Sequence, residues 1–199
     1  MHVYLASRPR APWGDYGKIL IHGMSRHLPR VAGAIQLERT APFIPPITFP
    51  GLADVVVTDA FRKKLEASGL TGCSFAPVRK RRIVALAWEH WDRSAKKPRV
   101  FPASGEPEDY LLAGAHDRRA SAALGDLWEM IVGPIGTAQA ERPRRPGERW
   151  KVTAQLPPDP PDLLHAVGFR LLLVSARAKT WLEQSAPGCV DFDRVKVEK

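Results

Sequence analysis

Hydrophobic residues along this chain fall in short runs that predict strands alternating with short helices. The β-branched run Asp54–Val57 predicts a strand, and Thr58 then stands at an N-cap position ahead of the helical segment DAFRKKLEAS. Glycines at 69 and 72 interrupt the helical pattern, and the alternating segment CSFAPV at 73–78 predicts a returning strand. Residues 55–78 therefore form a strand–helix–strand pattern.

The same pattern occurs a second time, at residues 172–195. The run LLLVS predicts the first strand, Ser175 supplies a second hydroxyl at the N-cap, and the segment after Gly188 predicts the returning strand. The matched pairs are Thr58 with Ser175, Leu65 with Leu182, Gly72 with Gly188, Cys73 with Cys189, Phe75 with Phe192, and Val78 with Val195. Helices of about ten residues are not stable alone, so each copy is expected to dock its helix on a sheet.

The rest of the chain predicts further short elements. Strands are expected at 2–5, 83–91 and 150–156, and the apolar spacing within 117–132 predicts an amphipathic helix that the sequence GPIG ends in a turn. Residues 18–50 contain a segment typical of either strand or helix, followed by a proline-rich stretch that excludes helix, and are expected to form an extended arm over the core. Loops are expected at 92–109 and 139–149.

These elements predict an α+β protein with mixed β-sheets, short docked helices and two related strand–helix–strand modules. At 199 residues the chain is long enough to bury its own core. We expect an N-terminal lobe at 1–92 that holds the first module and a C-terminal lobe at 93–199 that holds the second, packed as one compact unit.

The net charge of +9 favours an acidic partner: nucleic acid, an anionic membrane face or an acidic protein. Arginine-rich usage also follows from a GC-rich genome, so charge alone does not choose. The N-terminal sequence lacks the pattern of a signal peptide, and no apolar run approaches the roughly 18 residues needed to cross a bilayer. We therefore expect a cytoplasmic protein that does not bind membranes.

The reactive residue types do not form a recognisable catalytic or metal-binding pattern. Cys73 and Cys189 are far apart in sequence and cannot form a CxxC pair, and both are expected to be buried, inert thiols. The six histidines are scattered, without HExxH spacing, and neither GxSxG nor a phosphate-binding loop is present. We expect no enzyme activity, no metal and no cofactor.

Partner contacts are expected in two basic segments and one aromatic cluster. The cluster AWEHWD places two tryptophans on opposite faces of a predicted strand, where one can serve as a hot spot or both can be packing residues. The candidate residues are Arg79, Arg81, Arg82, Trp88, His90, Trp91, Arg142, Arg144, Arg145 and Arg149. Nucleic acid is disfavoured as the partner, because no aromatic residues alternate with the basic ones, but a basic nucleic-acid-associated regulatory domain remains the alternative.

The C-terminal copy also carries a family resemblance. Its acidic-apolar lead-in, strand, hydroxyl-capped helix and closing Gly-x-x-Phe-x-x-Val strand resemble the ending of immunity proteins from bacterial polymorphic toxin systems. The nearest resemblance is to the paralogous family named for a double CXXCG motif. The matching positions are Asp162-Leu163, Leu172–Val174, Ser175, Leu182, Gly188 and Phe192–Val195.

The earlier copy, Val56 to Val78, resembles a mid-chain segment of the same family. The CXXC pairs of that family are absent here, so the resemblance carries over no metal site. It implies a non-enzymatic cytoplasmic protein that binds a cognate toxin and blocks it. The net charge of +9 then favours an acidic surface on that toxin.

Overall fold

The computed structural model describes residues 2–25, 28–51, 53–86, 104–141 and 150–198. In these ranges the chain forms five helices and twelve strands in mixed sheets, which confirms the α+β class. The helices are α1 Asp15–His22, α2 Asp59–Ala67, α3 Asp109–Leu112, α4 Arg118–Ala123 and α5 Ala176–Ser185. The strands are β1 Val3–Ser7, β2 Gln36–Ala41, β3 Ile47–Thr48, β4 Val56–Thr58, β5 Cys73–Pro77, β6 Arg79–Ala85, β7 Leu127–Val132, β8 Pro134–Glu141, β9 Lys151–Gln155, β10 Leu163–Val167, β11 Phe169–Ser175 and β12 Asp191–Glu198.

Three sheets organise these strands. Six strands close into a barrel in the order β1–β11–β10–β8–β9–β12, in which β10 is parallel to β8 and β12 is parallel to β9. A four-stranded sheet has the order β3–β4–β7–β5, and β2 pairs with β6 in a two-stranded parallel sheet. Parallel neighbours cannot be joined by a tight turn, so much of this topology depends on pairing between distant segments.

The chain divides into two compact units, each discontinuous in sequence. One unit comprises residues 1–9, 63–75 and 130–199, and its core is the apolar interior of the barrel, where Val3, Leu5 and Leu173 are buried. The other unit comprises residues 10–62 and 76–129. Its buried apolar groups include Leu37, Val56 and Leu127 in one cluster and Ala41, Ile83 and Leu124 in another. The predicted lobe boundary at residue 92 lies outside the described residues and stays a prediction.

Both copies of the repeat form the predicted strand, helix and returning strand. In the first copy β4 and β5 flank β7, and in the second copy β11 and β12 flank β1. Each copy is therefore a split strand–helix–strand unit, with one strand from elsewhere in the chain inserted between its own two.

The two copies also share their contacts. Thr58 Oγ1 accepts a hydrogen bond from the N–H of Phe61 at 3.3 Å, and Ser175 Oγ accepts one from the N–H of Ala178 at 3.1 Å. Both hydroxyls thus occupy the N-cap position that the sequence predicts.

A cation on each helix lies over an aromatic ring of the inserted strand. The guanidinium of Arg62 is 4.3 Å from the ring centre of Trp128, and the ammonium of Lys179 is 5.4 Å from that of Tyr4. The two rings hold corresponding positions, because Trp128 pairs with Val57 and Tyr4 pairs with Val174. Cation–π attraction therefore links helix to inserted strand in both copies.

Two sequence predictions are wrong. The segment predicted as one helix at 117–132 is the short helix α4 followed by strand β7, because Gly125 has a φ of 65° and ends the helical path. The segment predicted as an extended arm at 18–50 instead contributes α1 and the almost fully buried strand β2. Apolar spacing cannot distinguish these cases where elements are only six or eight residues long.

Two boundaries also differ from the predictions. Strand β8 includes most of GPIG and the segment 139–141, which were predicted as turn and loop. Strand β6 begins at Arg79, so the run RKRR, for which the sequence predicts either a turn or a strand edge, forms the start of that strand. The predicted strand residues 87–91 lie outside the described residues.

Candidate partner-binding surface

The structure places three of the ten predicted contact residues, and all three lie in β6. They are Arg79, Arg81 and Arg82. The other predicted contact residues lie outside the described residues: Trp88, His90, Trp91, Arg142, Arg144, Arg145 and Arg149. The basic surface can therefore be built from β6.

Alternation along β6 separates its four basic residues into two pairs. Arg79 and Arg81 are exposed, whereas Lys80 and Arg82 are partly buried and are followed by the fully buried Ile83. Because only Arg79 and Arg81 are exposed, the run RKRR does not form one continuous basic patch.

The two partly buried residues, Lys80 and Arg82, are held by contacts within their own unit. Lys80 Nζ donates to the carbonyl oxygens of Ser121 and Gly125, at 2.6 and 2.9 Å. These carbonyls lie at the C-terminal end of α4, where an unpaired carbonyl attracts a cation. Lys80 therefore attaches α4 to the inner face of β6.

Arg82 lies opposite a buried acid. Its Nε is 3.6 Å from Oε1 of Glu38, whose side chain is only 3% exposed, and its guanidinium also donates to the carbonyls of Leu111 and Leu112. A buried carboxylate needs a cation nearby, because removing its charge from water is costly. Arg82 therefore supports the fold of this unit.

A register shift places Arg81 at an irregular position. Along the parallel pair β2–β6, Leu37 lies opposite Lys80 and Glu38 lies opposite Arg82, so Arg81 is the extra residue of a β-bulge. Bulges change the direction in which a strand presents its side chains. The bulge lets Arg82 reach Glu38 while Arg81 stays in solvent.

The segment after Gly114 lies along β6. The N–H of Ile83 donates to Nδ1 of His116 at 3.0 Å, and the carbonyl of Ile83 accepts from the N–H of Asp117 at 2.7 Å. Together with the β2 pairing, these bonds hold β6 firmly. Arg79 and Arg81 are thus presented from a rigid strand.

A second cluster of charged residues, around Arg30, holds a loop in place. Arg30 makes a bidentate pair with Glu129, at 2.8 and 2.7 Å, and also contacts Asp54 at 3.4 Å. The hydrogen bonds to Glu129 are the main reason that the pKa of Arg30 is raised. This cluster fixes the loop that carries Arg30 against β7.

Burial raises the pKa of both thiols. Cys73 is partly buried and Glu66 adds to its shift, whereas burial alone raises the pKa of Cys189. A raised pKa reduces the thiolate fraction at neutral pH and with it the nucleophilicity of the sulfur. Within the described ranges, no group of three histidine, cysteine, aspartate or glutamate side chains is arranged to hold a metal ion.

Reasoning from sequence missed two kinds of residue. Glu38 gives no local sequence signal, since its role depends on pairing with a strand more than forty residues away. Lys151, Arg194 and Lys196 come together on the barrel, although they belong to two strands that are distant in sequence. In the sequence, only the alternation of charged and apolar residues at 191–198 indicates that Arg194 and Lys196 lie on one face of a strand.

Comparison with family models gave no match, and comparison with curated proteins gave none either. No helix among the described residues is long and apolar enough to cross a membrane.

Proposed function

We propose that this chain is an immunity protein that binds and neutralises a cognate bacterial toxin through protein–protein contact. The observation that carries the proposal is the division of β6 into two partly buried residues, Lys80 and Arg82, whose contacts secure the strand, and two exposed residues, Arg79 and Arg81. The backbone of β6 is already held by its hydrogen bonds, so binding at Arg79 and Arg81 has to order side chains and not the strand, which suits an inhibitor that must bind tightly.

The positive charge of the chain and of the exposed arginines on β6 favours a partner with an acidic surface. Arg79 and Arg81 take part in no ion pair with any described residue, and the whole chain carries a net charge of +9. A complementary acidic surface on the toxin would accelerate encounter and orient the complex. The resemblance of the repeated modules to polymorphic-toxin immunity proteins points to the same class, acting in the cytoplasm of the producing or sibling cell.

The test is co-expression with the protein encoded by the neighbouring gene. We expect the wild-type chain to protect cells from that protein and to co-purify with it. The double variant Arg79→Glu/Arg81→Glu should weaken the complex by about a hundredfold, since each reversal replaces an attraction with a repulsion at a charged contact.

A matched control makes the same change in charge, two arginines to glutamates, at a different place on the surface. Arg118 and Arg119 are exposed residues of α4, and α4 packs on the face of β6 to which Lys80 points. The variant Arg118→Glu/Arg119→Glu should leave affinity within about twofold of wild type, apart from long-range charge effects that salt removes. Equal losses in both variants would contradict the assigned surface.

The alternative, a basic nucleic-acid-associated domain, makes a different prediction. It requires binding to DNA or RNA whose affinity falls steeply with salt. Failure to protect against or bind the neighbouring protein, together with salt-sensitive binding of nucleic acid, would replace the immunity proposal with this one.

A further inference from the structure

One face of the barrel brings together basic residues from two strands that lie side by side. Strands β9 and β12 are parallel, with Thr153 beside Lys196, and Lys151 and Arg194 each stand two residues before this pair. Neighbouring strands are about 4.8 Å apart, and residues two apart on one strand are separated by about 6.6 Å. Lys151, Arg194 and Lys196 thus lie near the same end of the two paired strands, and all three line one cleft together with Thr153.

These side chains project from the outside of the barrel. Lys151, Arg194 and Lys196 are exposed, whereas the intervening residues Val152 and Val195 are buried in the barrel core. The outward side chains line a cleft of about 640 Å³. A cleft of this volume is within the range of small-molecule sites.

Polar and aromatic groups border the three cations. Gln139 lies opposite Thr153 on the neighbouring strand β8, and both line the cleft. Trp150 also lines it, and its ring is fixed by an edge contact with Phe169 at 6.0 Å between ring centres. The cleft therefore combines cations, an amide, a hydroxyl and a rigid aromatic side chain.

The cations are only partly neutralised within the described part of the chain. Lys196 pairs with Glu198 at 3.0 Å, and Arg194 interacts with Nδ1 of His2 at 3.0 Å. No ion pair between described residues involves Lys151 or Arg194. Two like charges on adjacent strands destabilise the sheet, and an anion bound between them would remove that repulsion.

The acidic residues limit the size of the anion. Glu141 lies opposite Lys151 on β8, and Glu198 pairs with Lys196, so carboxylates stand on two sides of the basic centre. They would repel the successive phosphates of a nucleic-acid strand. A compact anion with a single charged group avoids them.

We propose that this cleft binds a small phosphate monoester, with the phosphate at Lys151 and Arg194 and a planar organic group against Trp150. Arginine and lysine are the usual cationic ligands of phosphate, and Thr153 and Gln139 supply further hydrogen-bond donors. The site shares no residue with the proposed toxin-binding surface on β6, and this inference goes beyond the proposed function.

The test uses the full chain and three probes: adenosine monophosphate, inorganic phosphate and adenosine. Binding is measured by calorimetry and by amide chemical shifts. We expect adenosine monophosphate to bind more tightly than phosphate, adenosine not to bind, and the shifts to cluster on β9 and β12. Arg194→Gln and Lys151→Gln should each weaken binding by about tenfold or more, as expected for a lost charge-assisted hydrogen bond.

The control is Arg170→Gln, which removes an exposed arginine of β11 on the same barrel that does not line the cleft. It should bind as wild type does. The proposal is overturned if the wild-type chain binds neither phosphate probe at 10-fold molar excess over about 1 mM protein, or if Arg170→Gln loses as much affinity as Arg194→Gln. It is equally overturned if affinity rises steadily with the length of an oligonucleotide, or if an acidic peptide displaces adenosine monophosphate and binds more tightly.

Discussion

The hydroxyl of Ser175 donates a hydrogen bond to Oδ1 of Asp162 at 2.7 Å, while its oxygen accepts from the N–H of Ala178 at the start of α5. The other carboxylate oxygen of Asp162 accepts from the N–H and hydroxyl of Thr71, in the turn that follows α2. Asp162 therefore connects the N-cap of the second module to the glycine turn of the first. In the first module, Thr58 caps α2 with a longer bond of 3.3 Å to the N–H of Phe61.

This difference predicts unequal costs for removing the two caps. Ser175→Ala should lower the free energy of unfolding by about 2 kcal/mol, because it removes the cap and also a partner of Asp162. Thr58→Ala should cost about 1 kcal/mol or less. Urea denaturation of both variants measures the difference, and equal losses would show that Asp162 adds nothing to the cap.

Replacing the two matched glycines, Gly72 and Gly188, by alanine should give a larger difference in stability than removing the two caps. Gly72 has a φ of 96°, and a Cβ there would lie 2.1 Å from the carbonyl oxygen of Leu163, whereas Gly188 has a φ of 70° with no atom within 4 Å of such a Cβ. Gly188→Ala should cost about 1 kcal/mol for backbone strain alone. Gly72→Ala should cost at least about 3 kcal/mol more, because main-chain atoms must move. Thermal and urea unfolding of the pair test this, and a Gly72→Ala protein as stable as Gly188→Ala would contradict the close approach.

Neutralising Arg82 should lower the stability of the protein, whereas neutralising its neighbour Arg81 should leave stability almost unchanged. Arg82→Gln removes a cation that lies 3.6 Å from the buried carboxylate of Glu38 and should lower stability by about 1 to 3 kcal/mol. Arg81→Gln, at an exposed position, should change stability by no more than about 0.5 kcal/mol. The double variant Arg82→Gln/Glu38→Gln should recover part of the loss, and a stable Arg82→Gln single variant would contradict the structural role assigned to Arg82.

The two thiols should react slowly. Because burial raises the pKa of Cys73 and Cys189, the reactive thiolate is disfavoured in the folded state. Alkylation by iodoacetamide, followed site by site with mass spectrometry, should be slower in the native chain than in urea at every pH up to about 9. Its pH midpoint should also lie higher in the native chain. Because thiolate forms more readily in the unfolded chain, the two thiols lower the free energy of unfolding as pH rises through the pKa of the unfolded chain. Native rates that equal or exceed those in urea would contradict the assignment.

Local structure was largely predictable from sequence. Strand β4, the N-caps Thr58 and Ser175 and the turn glycines depend on side-chain shape and on hydrogen bonds within a few residues, so a local pattern reveals them. The helix predicted at 117–132 failed for the same reason. The spacing of Leu124, Leu127, Trp128 and Ile131 fitted a helix, but the last three lie in strand β7 between β4 and β5, where Leu127 is buried and Ile131 is exposed.

The candidate site was less predictable. The basic run at 79–82 was visible in the sequence, but the separation of Arg79 and Arg81 from Lys80 and Arg82 required the strand and its bulge. The cleft on the barrel was not visible at all, since Lys151 and Arg194 are 43 residues apart in the chain.

The amino-acid sequence by itself determined that one strand–helix–strand unit occurs twice, with the same caps, turns and buried leucines, because these are set by short-range sterics and hydrogen bonding. Only the tertiary structure decided that a strand from elsewhere in the chain pairs between the two strands of each unit. That strand is β7 in one copy and β1 in the other. Which strand is inserted depends on burying apolar surface between segments far apart in sequence, and that free energy is a property of the whole fold.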